Sequence, residues 1–366
     1  MKAARGPSIV GWSVVSPIGI GGEAFTDALF AGTSGCKPLP SDYPAPVERA
    51  ATIPEFETVA FLGRKGTRSM DRLTAMVIAT AGMILQQQET IQDEERRAMG
   101  MVVGTSTGSL DSITGFIRDT FIHDRPYHVN PAAFPNTVMN CAAGQTAIWH
   151  GLHGLNSTVS GGHLTGLLAL QYARRAIGHR YADTLLVGAV EEFSPPVAWA
   201  DVKLRDARQR LSRPLGEGCA MFMIEDPAVA AARGRRVLAE VVDLEFQVDP
   251  DGGDGQRDAL AACIRTVVER AGVDAGAIEL VSVGRCGESA PDNRESAAIA
   301  DALGPAHRSR RCEIANLVGN TFSASGAFQV AALLATTSRL PESSTRLGLI
   351  TSLGSDGAVG CALLQS

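Results

Sequence analysis

The stretch AAFPNTVMNCAAGQTAIWHGLHGLNSTVSGGHLTGLLALQYARRAIGHRYADTLLVGAVEE, residues 132–192, decides the fold. Within it, the small-residue turn Ser160-Gly161-Gly162-His163 leads into LTGLLALQYARRAIG, a helix apolar on most faces. Two strand-like runs follow, Thr184–Val190 and Cys219–Ile224. The second half echoes this order. Val318-Gly319-Asn320 leads into TFSASGAFQVAALLATTSRL, and the runs Arg346–Ser352 and Ala358–Leu364 come after it. A helix that is apolar nearly all round belongs between layers, and short continuously apolar strands fit a sheet covered on both faces. The pattern predicts two similar α/β halves around paired central helices, in five layers. Periodicity alone also admits an ordinary doubly wound α/β protein.

Working outward, 366 residues correspond to about two domains of roughly 150 residues, or one large duplicated unit. Hydrophobic residues at 45% and charged residues at 20% suit a globular chain and exclude disorder. Aromatics are 5% against 39 glycines, so the core is expected to pack small aliphatic side chains closely. A net charge of -6 argues against a basic nucleic-acid-binding protein. No apolar window approaches the ~18 residues of a membrane span, and the N-terminus lacks a signal-peptide pattern. The seven cysteines form no CxxC pair and read as reduced core thiols of a cytoplasmic protein, with no metal site and no cofactor expected. Loops are expected at 34–57, which holds five prolines, and at 249–256 (DPDGGDGQ), before a helical pattern from Arg257 to Ala271. The halves are divided as 1–234 and 235–366.

The opening stretch resembles the β-ketoacyl synthases of the thiolase superfamily. Other landmarks of that family follow in order: IVGWSVVSPIGIGGEAFTDALFAG, MGMVVGTSTGSL, RPLGEGCAMFMIEDPAVAAARG, DNRESAAIADALG, ANLVGNTFSASGAF and TSLGSDGAVGCALL. The resemblance implies a thiolase-like αβαβα fold of two duplicated halves. It also implies a chemistry that needs a cysteine at a helix N-terminus to carry the acyl chain, two histidines and a lysine. Here the cysteine position of the family's elbow is His163, within Gly161-Gly162-His163-Leu164-Thr165-Gly166. The first histidine position, counted back from Asp292, is Gly284. In Ala315-Asn316-Leu317-Val318-Gly319-Asn320 the lysine becomes Ala315 and the second histidine Asn320. The family's terminal G-F-G-G turn reads Gly354-Ser355-Asp356-Gly357. An acyl-imidazole hydrolyses readily, and an asparagine shuttles no proton at neutral pH. The expectation is a chain with no catalytic residues that does not run the condensation itself.

Type II polyketide systems pair an active ketosynthase with such a silent homologue, the chain-length factor. The resemblance therefore implies a heterodimer with an active β-ketoacyl synthase, served by an acyl carrier protein, with this chain shaping the acyl tunnel. The tunnel candidates are Ile113, Phe116, Ile117 and Thr120 on the helical pattern SLDSITGFIRDTF, with Val138 and Met139 in the loop FPNTVMNC. Read as residues alone, the first four are core positions of an amphipathic helix. His163 reads as a neutral plug of the vestigial pocket, since burial and the helix dipole oppose an imidazolium. The alternatives are a repurposed acyltransferase or hydrolase using His163 with Ser160, and a non-catalytic scaffold that binds the carrier. Cys141 reads as a packed small hydrophobe. Asp292 and Glu295 read as helix caps or ion-pair members. Arg205, Arg208, Arg210 and Arg213 read as a solvated loop or a carrier-docking cluster. The short chain and the histidine at the elbow favour a polyene-type product over an aromatic one.

Overall fold

A computed structural model describes residues 6–88, 91–204, 213–250, 254–284, 287, 289–305, 307–340 and 346–366. The principal strands are β1 (Ser8–Ser16), β2 (Gly100–Gly104), β3 (Asn156–Val159), β4 (Thr184–Glu191) and β5 (Gly218–Glu225). The second half supplies β6 (Ala239–Val248), β7 (Ile278–Ser282), β8 (Arg310–Cys312), β9 (Leu347–Leu353) and β10 (Ala358–Gln365). The longer helices are α1 (Gly22–Ala31), α2 (Arg72–Gln87), α3 (Leu110–Ile122), α4 (Cys141–His150) and α5 (Thr165–Gly178). They continue with α6 (Pro195–Leu204), α7 (Asp254–Ala271), α8 (Ser289–Leu303) and α9 (Ser325–Ser338).

The strands run in the order β8-β7-β9-β10-β6-β1-β5-β4-β2-β3. Each half has the same topology. Its first strand pairs antiparallel with its last, that one antiparallel with the fourth, and the fourth parallel with the second, which pairs parallel with the third. The two halves of this sheet are joined where Ser8 and Ile9 of β1 meet Glu240 and Ala239 of β6. The duplication read from the helices is thus a duplication of topology. The division expected at 234/235 falls between the short helix Pro227–Ala232 and β6.

Side-chain alternation along the strands builds three core slabs. On β5, Ala220, Phe222 and Ile224 face a central slab, while Cys219, Met221 and Met223 face an outer one beneath α2 and α4. On β10, Ala362 and Leu364 join the central slab, while Val359, Cys361 and Leu363 pack beneath α7 and α8. A strand buried on both faces needs apolar residues at every position, which is why these runs are continuous. The layers are therefore α2/α4, sheet, α5/α9, sheet, α7/α8. At the centre α5 and α9 cross at Gly166 and Gly326. A Cβ on Gly166 would lie 2.7 Å from Ala327 N, and one on Gly326 2.9 Å from Leu167 Cγ. Only glycine permits that approach.

Two expectations shift. Helix α7 begins at Asp254, three residues before the expected start, because Gly255 lets its first turn press on Asp249, whose Oδ2 would lie 2.0 Å from a Cβ there. Of the cysteines, Cys219, Cys263 and Cys361 are core thiols, but Cys36, Cys141 and Cys312 are only half-buried. Cys286 lies outside the described residues. Among the described residues, no helix is long and apolar enough to cross a membrane.

Candidate functional site

Both central helices are entered through the same elbow. A single 3-10 turn precedes each: Gly162–Leu164 before α5 and Phe322–Ala324 before α9. The first residue of each turn is left-handed, with φ 57° at Gly162 and 46° at Phe322. Glycine adopts this backbone freely, whereas a phenylalanine there is strained by about 1–3 kcal/mol and must be held by its surroundings. What holds it is the other elbow. The Phe322 and His163 rings meet edge to face with centroids 4.4 Å apart. An aromatic pair in this geometry contributes about 0.5–1.5 kcal/mol beyond its buried area.

The four positions singled out in the sequence come together here. His163, Gly284, Ala315 and Asn320 line one small cavity with Pro291, Asp292, Glu295, Ser325 and Leu353. Its volume is about 20 Å³, room for roughly one water molecule and no acyl chain. Gly284 has let the walls close in. A Cβ there would sit 3.2 Å from Thr351 O and 3.4 Å from Glu295 Oε1. Glu295 is 2% exposed and accepts hydrogen bonds from Gly284 N (2.8 Å) and Thr351 Oγ1 (2.6 Å). It therefore ties the loop after β7 to β9. Asn320 spends its Oδ1 on a turn, accepting from Phe322 N at 3.0 Å. Asp356, in the turn that replaces G-F-G-G, approaches the first elbow closely enough that a Cβ on Gly162 would meet its Oδ2 at 3.5 Å.

Under the elbows lies Glu191, buried at the end of β4. It accepts from Ser106 N (2.7 Å), Thr107 Oγ1 (2.5 Å) and the Ser323 hydroxyl. One carboxyl thereby joins the loop after β2 to the elbow of the other half. Burial pushes its pKa up, and these hydrogen bonds oppose the rise. Thr165 completes the floor, donating to Gly162 O (2.7 Å) and accepting from Gly161 N (2.9 Å).

The tunnel candidates lie apart from this cavity, on α3 and the segment after it. Phe116 packs on Phe134 of the turn Pro131–Thr137, with ring centroids 5.9 Å apart, and Met139 packs beside Gly108. Ile113, Phe116 and Thr120 are half-buried, while Ile117, Val138 and Met139 are exposed. Thr120 Oγ1 donates to Ile117 O (2.6 Å), so its hydroxyl is satisfied within the helix. No residue of α3 is buried, although Phe121 and Ile122 add to its apolar surface. The positions expected in the core are therefore only partly covered, by the turn Pro131–Thr137 and α6, on which α3 packs. Cys141 caps the segment, half-buried, with its thiol pKa raised chiefly by burial. Of the arginine cluster, Arg205, Arg208 and Arg210 lie outside the described residues, and Arg213 turns inward toward Glu313 at 4.0 Å.

Sequence reasoning missed Phe322 and Phe134. The internal repeat held a signal for the first, since it sets Phe322 where the other half has Gly162. Among the described residues, no group of three or more His, Cys, Asp or Glu side chains could hold a metal ion.

Two α/β halves of one topology, paired central helices and facing elbows define a thiolase-like fold. The N-terminal domain of the β-ketoacyl synthases matches residues 8–230, and their C-terminal domain matches residues 244–340. The chain belongs to the β-ketoacyl synthase family. It is 29% identical over 323 residues to 3-oxoacyl-[acyl-carrier-protein] synthase 2 of Vibrio cholerae, covering 81% of this chain and 77% of that one. A solved structure described as the ishigamide ketosynthase/chain length factor superimposes with a TM-score of 0.89 at 36% identity, over 98% of this chain and 99% of that one. A type II polyketide acyl-carrier protein in complex with its ketosynthase supplies a further neighbour, with a TM-score of 0.84 at 18% identity over 99% and 100% of the chains, a likeness of fold alone.

Proposed function

We propose that this chain is the non-condensing, chain-length-setting subunit of a type II polyketide ketosynthase pair. One observation carries the reading. The positions at which the family resemblance places cysteine, two histidines and lysine hold His163, Gly284, Asn320 and Ala315, and they enclose about 20 Å³. No thiolate is available there to take an acyl chain, and no space to receive one. An active β-ketoacyl synthase supplies the cysteine, acting in the cytoplasm on chains held by an acyl carrier protein. This chain contributes the half-exposed apolar face of α3 with Phe134, Val138 and Met139 as wall and floor of the tunnel.

The similarity to a ketosynthase/chain length factor along nearly the full length of both chains supports the pairing. The edge of the sheet supports it too. Met101 N bonds to Leu155 O and Thr105 N to Val159 O, so by alternation Asn156 and Thr158 turn their own backbone groups outward from β3. An uncharged edge of this kind is ready to pair with another strand. Within this reading we take the product to be a polyene or other highly reduced chain, which the histidine at the elbow favours over an aromatic one.

The test is reconstitution. Alone, the purified chain forms no β-ketoacyl product from malonyl-loaded carrier; with a cysteine-bearing partner it gives a 1:1 complex that does. His163→Ala leaves the activity of the complex within about twofold, as expected for a plug. A homodimer that condenses malonyl units overturns the reading, and so does a complex that assembles with His163→Ala but no longer turns over.

A further inference from the structure

Two consecutive buried carboxyls, Glu191 ending β4 and Glu192 just after it, are each 4% exposed. They face opposite ways along one loop. Glu191 holds Thr105, Ser106 and Thr107. Glu192 holds the first turn of α3, where Asp111 N donates to its Oε1 (3.1 Å) and the Ser109 hydroxyl lies 3.2 Å from the same atom. Ser109 in turn caps the helix, accepting from Ser112 N at 3.3 Å. Because α3 buries none of its own residues, these contacts at its N-terminus add to its packing on the turn Pro131–Thr137 in placing it.

We propose that Glu192 is the positioning residue that fixes α3 and, through it, the length at which the growing chain stops. The inference rests on the proposed chain-length function and names the group that sets it. The surroundings of Glu192 favour its protonated form. Asp71 and Arg72 face it from the start of α2, Asp111 from α3, and Tyr43 from the proline-rich loop. The one cation among them is committed, since Arg72 makes a double bond pair with Glu217 at 2.9 and 2.7 Å. Burial above all, with Asp71 and Asp111, pushes the Glu192 pKa up to about 8, against the Asp111 N–H and the Ser109 hydroxyl. In its neutral form the carboxyl accepts from Asp111 N–H and from the Ser109 hydroxyl. Its charged form is repelled by two aspartates and drawn toward water.

The sign follows. Below pH 8 the latch is closed, and as pH rises through 8 it loosens. The wild-type pair is therefore expected to shift its product distribution toward longer chains between pH 7 and pH 9. Glu192→Gln keeps one acceptor and one donor without titrating, so it matches wild type at pH 7 and stays flat to pH 9. Glu192→Ala frees the first turn of α3. Amide exchange at Asp111–Ile113 rises roughly tenfold in the complex, and at pH 7 products are at least one two-carbon unit longer. A structural role alone would lower stability in Glu192→Ala but move neither the product lengths nor the pH profile of Glu192→Gln. Phe116→Ala is the control on the underlying reading. If it lengthens products while both Glu192 variants behave as wild type, the latch is refuted and the chain-length function stands. If none of the three changes the products, the function itself fails and the latch with it.

Discussion

The two outer edges of the sheet come from the same position in the two halves, β3 in one and β8 in the other, yet their chemistry is opposite. Strand β3 reads Asn-Ser-Thr-Val and carries no charge. Strand β8 reads Arg-Arg-Cys, with Arg310 and Arg311 exposed and Arg310 lying over the Phe30 ring at 5.6 Å. The flanking helices differ in the same sense. On the second half, α7 and α8 bury their apolar faces against the sheet. On the first, β3 packs on α4, α4 on the turn Pro131–Thr137, and that turn on α3, which buries none of its residues. Arginines on an edge strand discourage further pairing, whereas a neutral edge beside a half-exposed apolar helix favours it. The halves share one topology, and a few side chains give their two edges opposite character.

The largest expected effect strikes what the halves share. Gly166→Val drives a side chain into the backbone of α9 at Ala327, and Gly326→Val does the same to Leu167. Each should cost about 3 kcal/mol or more, or prevent folding, as read by chemical denaturation. A loss below ~1 kcal/mol would mean that the helices do not cross there.

Next comes the open edge. Thr158→Pro removes an N–H that points away from β2, so the lone chain should keep its melting temperature within a few degrees. Association with the partner should fall about tenfold or more, measured by titration. Unchanged affinity would place the partner elsewhere. The blocked edge gives a smaller effect of opposite sign. Neutralising it with Arg310→Val and Arg311→Val should raise self-association at high concentration, seen by sedimentation, without weakening the pair.

The smallest change concerns α3. Gly115 lies inside the helix with open space where its side chain would be, so Gly115→Ala should stabilise the lone chain by about 0.5–1 kcal/mol. No gain would indicate that α3 is not helical before the partner arrives.

Much of this arrangement is legible in the residues. The apolar helices after Ser160-Gly161-Gly162-His163 and after Val318-Gly319-Asn320 announce α5 and α9, because only a helix buried between layers can be apolar nearly all round. Collinear motifs place His163, Gly284, Ala315 and Asn320 at one site. Other features stay hidden for a physical reason. Phe322 looks like any core phenylalanine, since its left-handed backbone and its contact with His163 depend on the opposing elbow. Glu191 and Glu192 look like a solvated acidic pair, the usual fate of two adjacent carboxylates. Their burial, and the contrary directions in which they reach, follow from where β4 ends relative to the loop Thr105–Asp111. The apolar stripe of α3 reads as core because periodicity records that a face is apolar and says nothing about how far the fold buries it.

By itself the sequence determined the two halves, their central helices and which chemical groups stand at the elbows, because these follow from local patterning and residue identity. The tertiary structure alone decided that four distant positions enclose a space no larger than a water molecule. It alone decided that one carboxyl fastens the start of α3, and that one edge of the sheet is open while its twin is closed. Those properties belong to distances between segments far apart in the chain, and no local pattern encodes them.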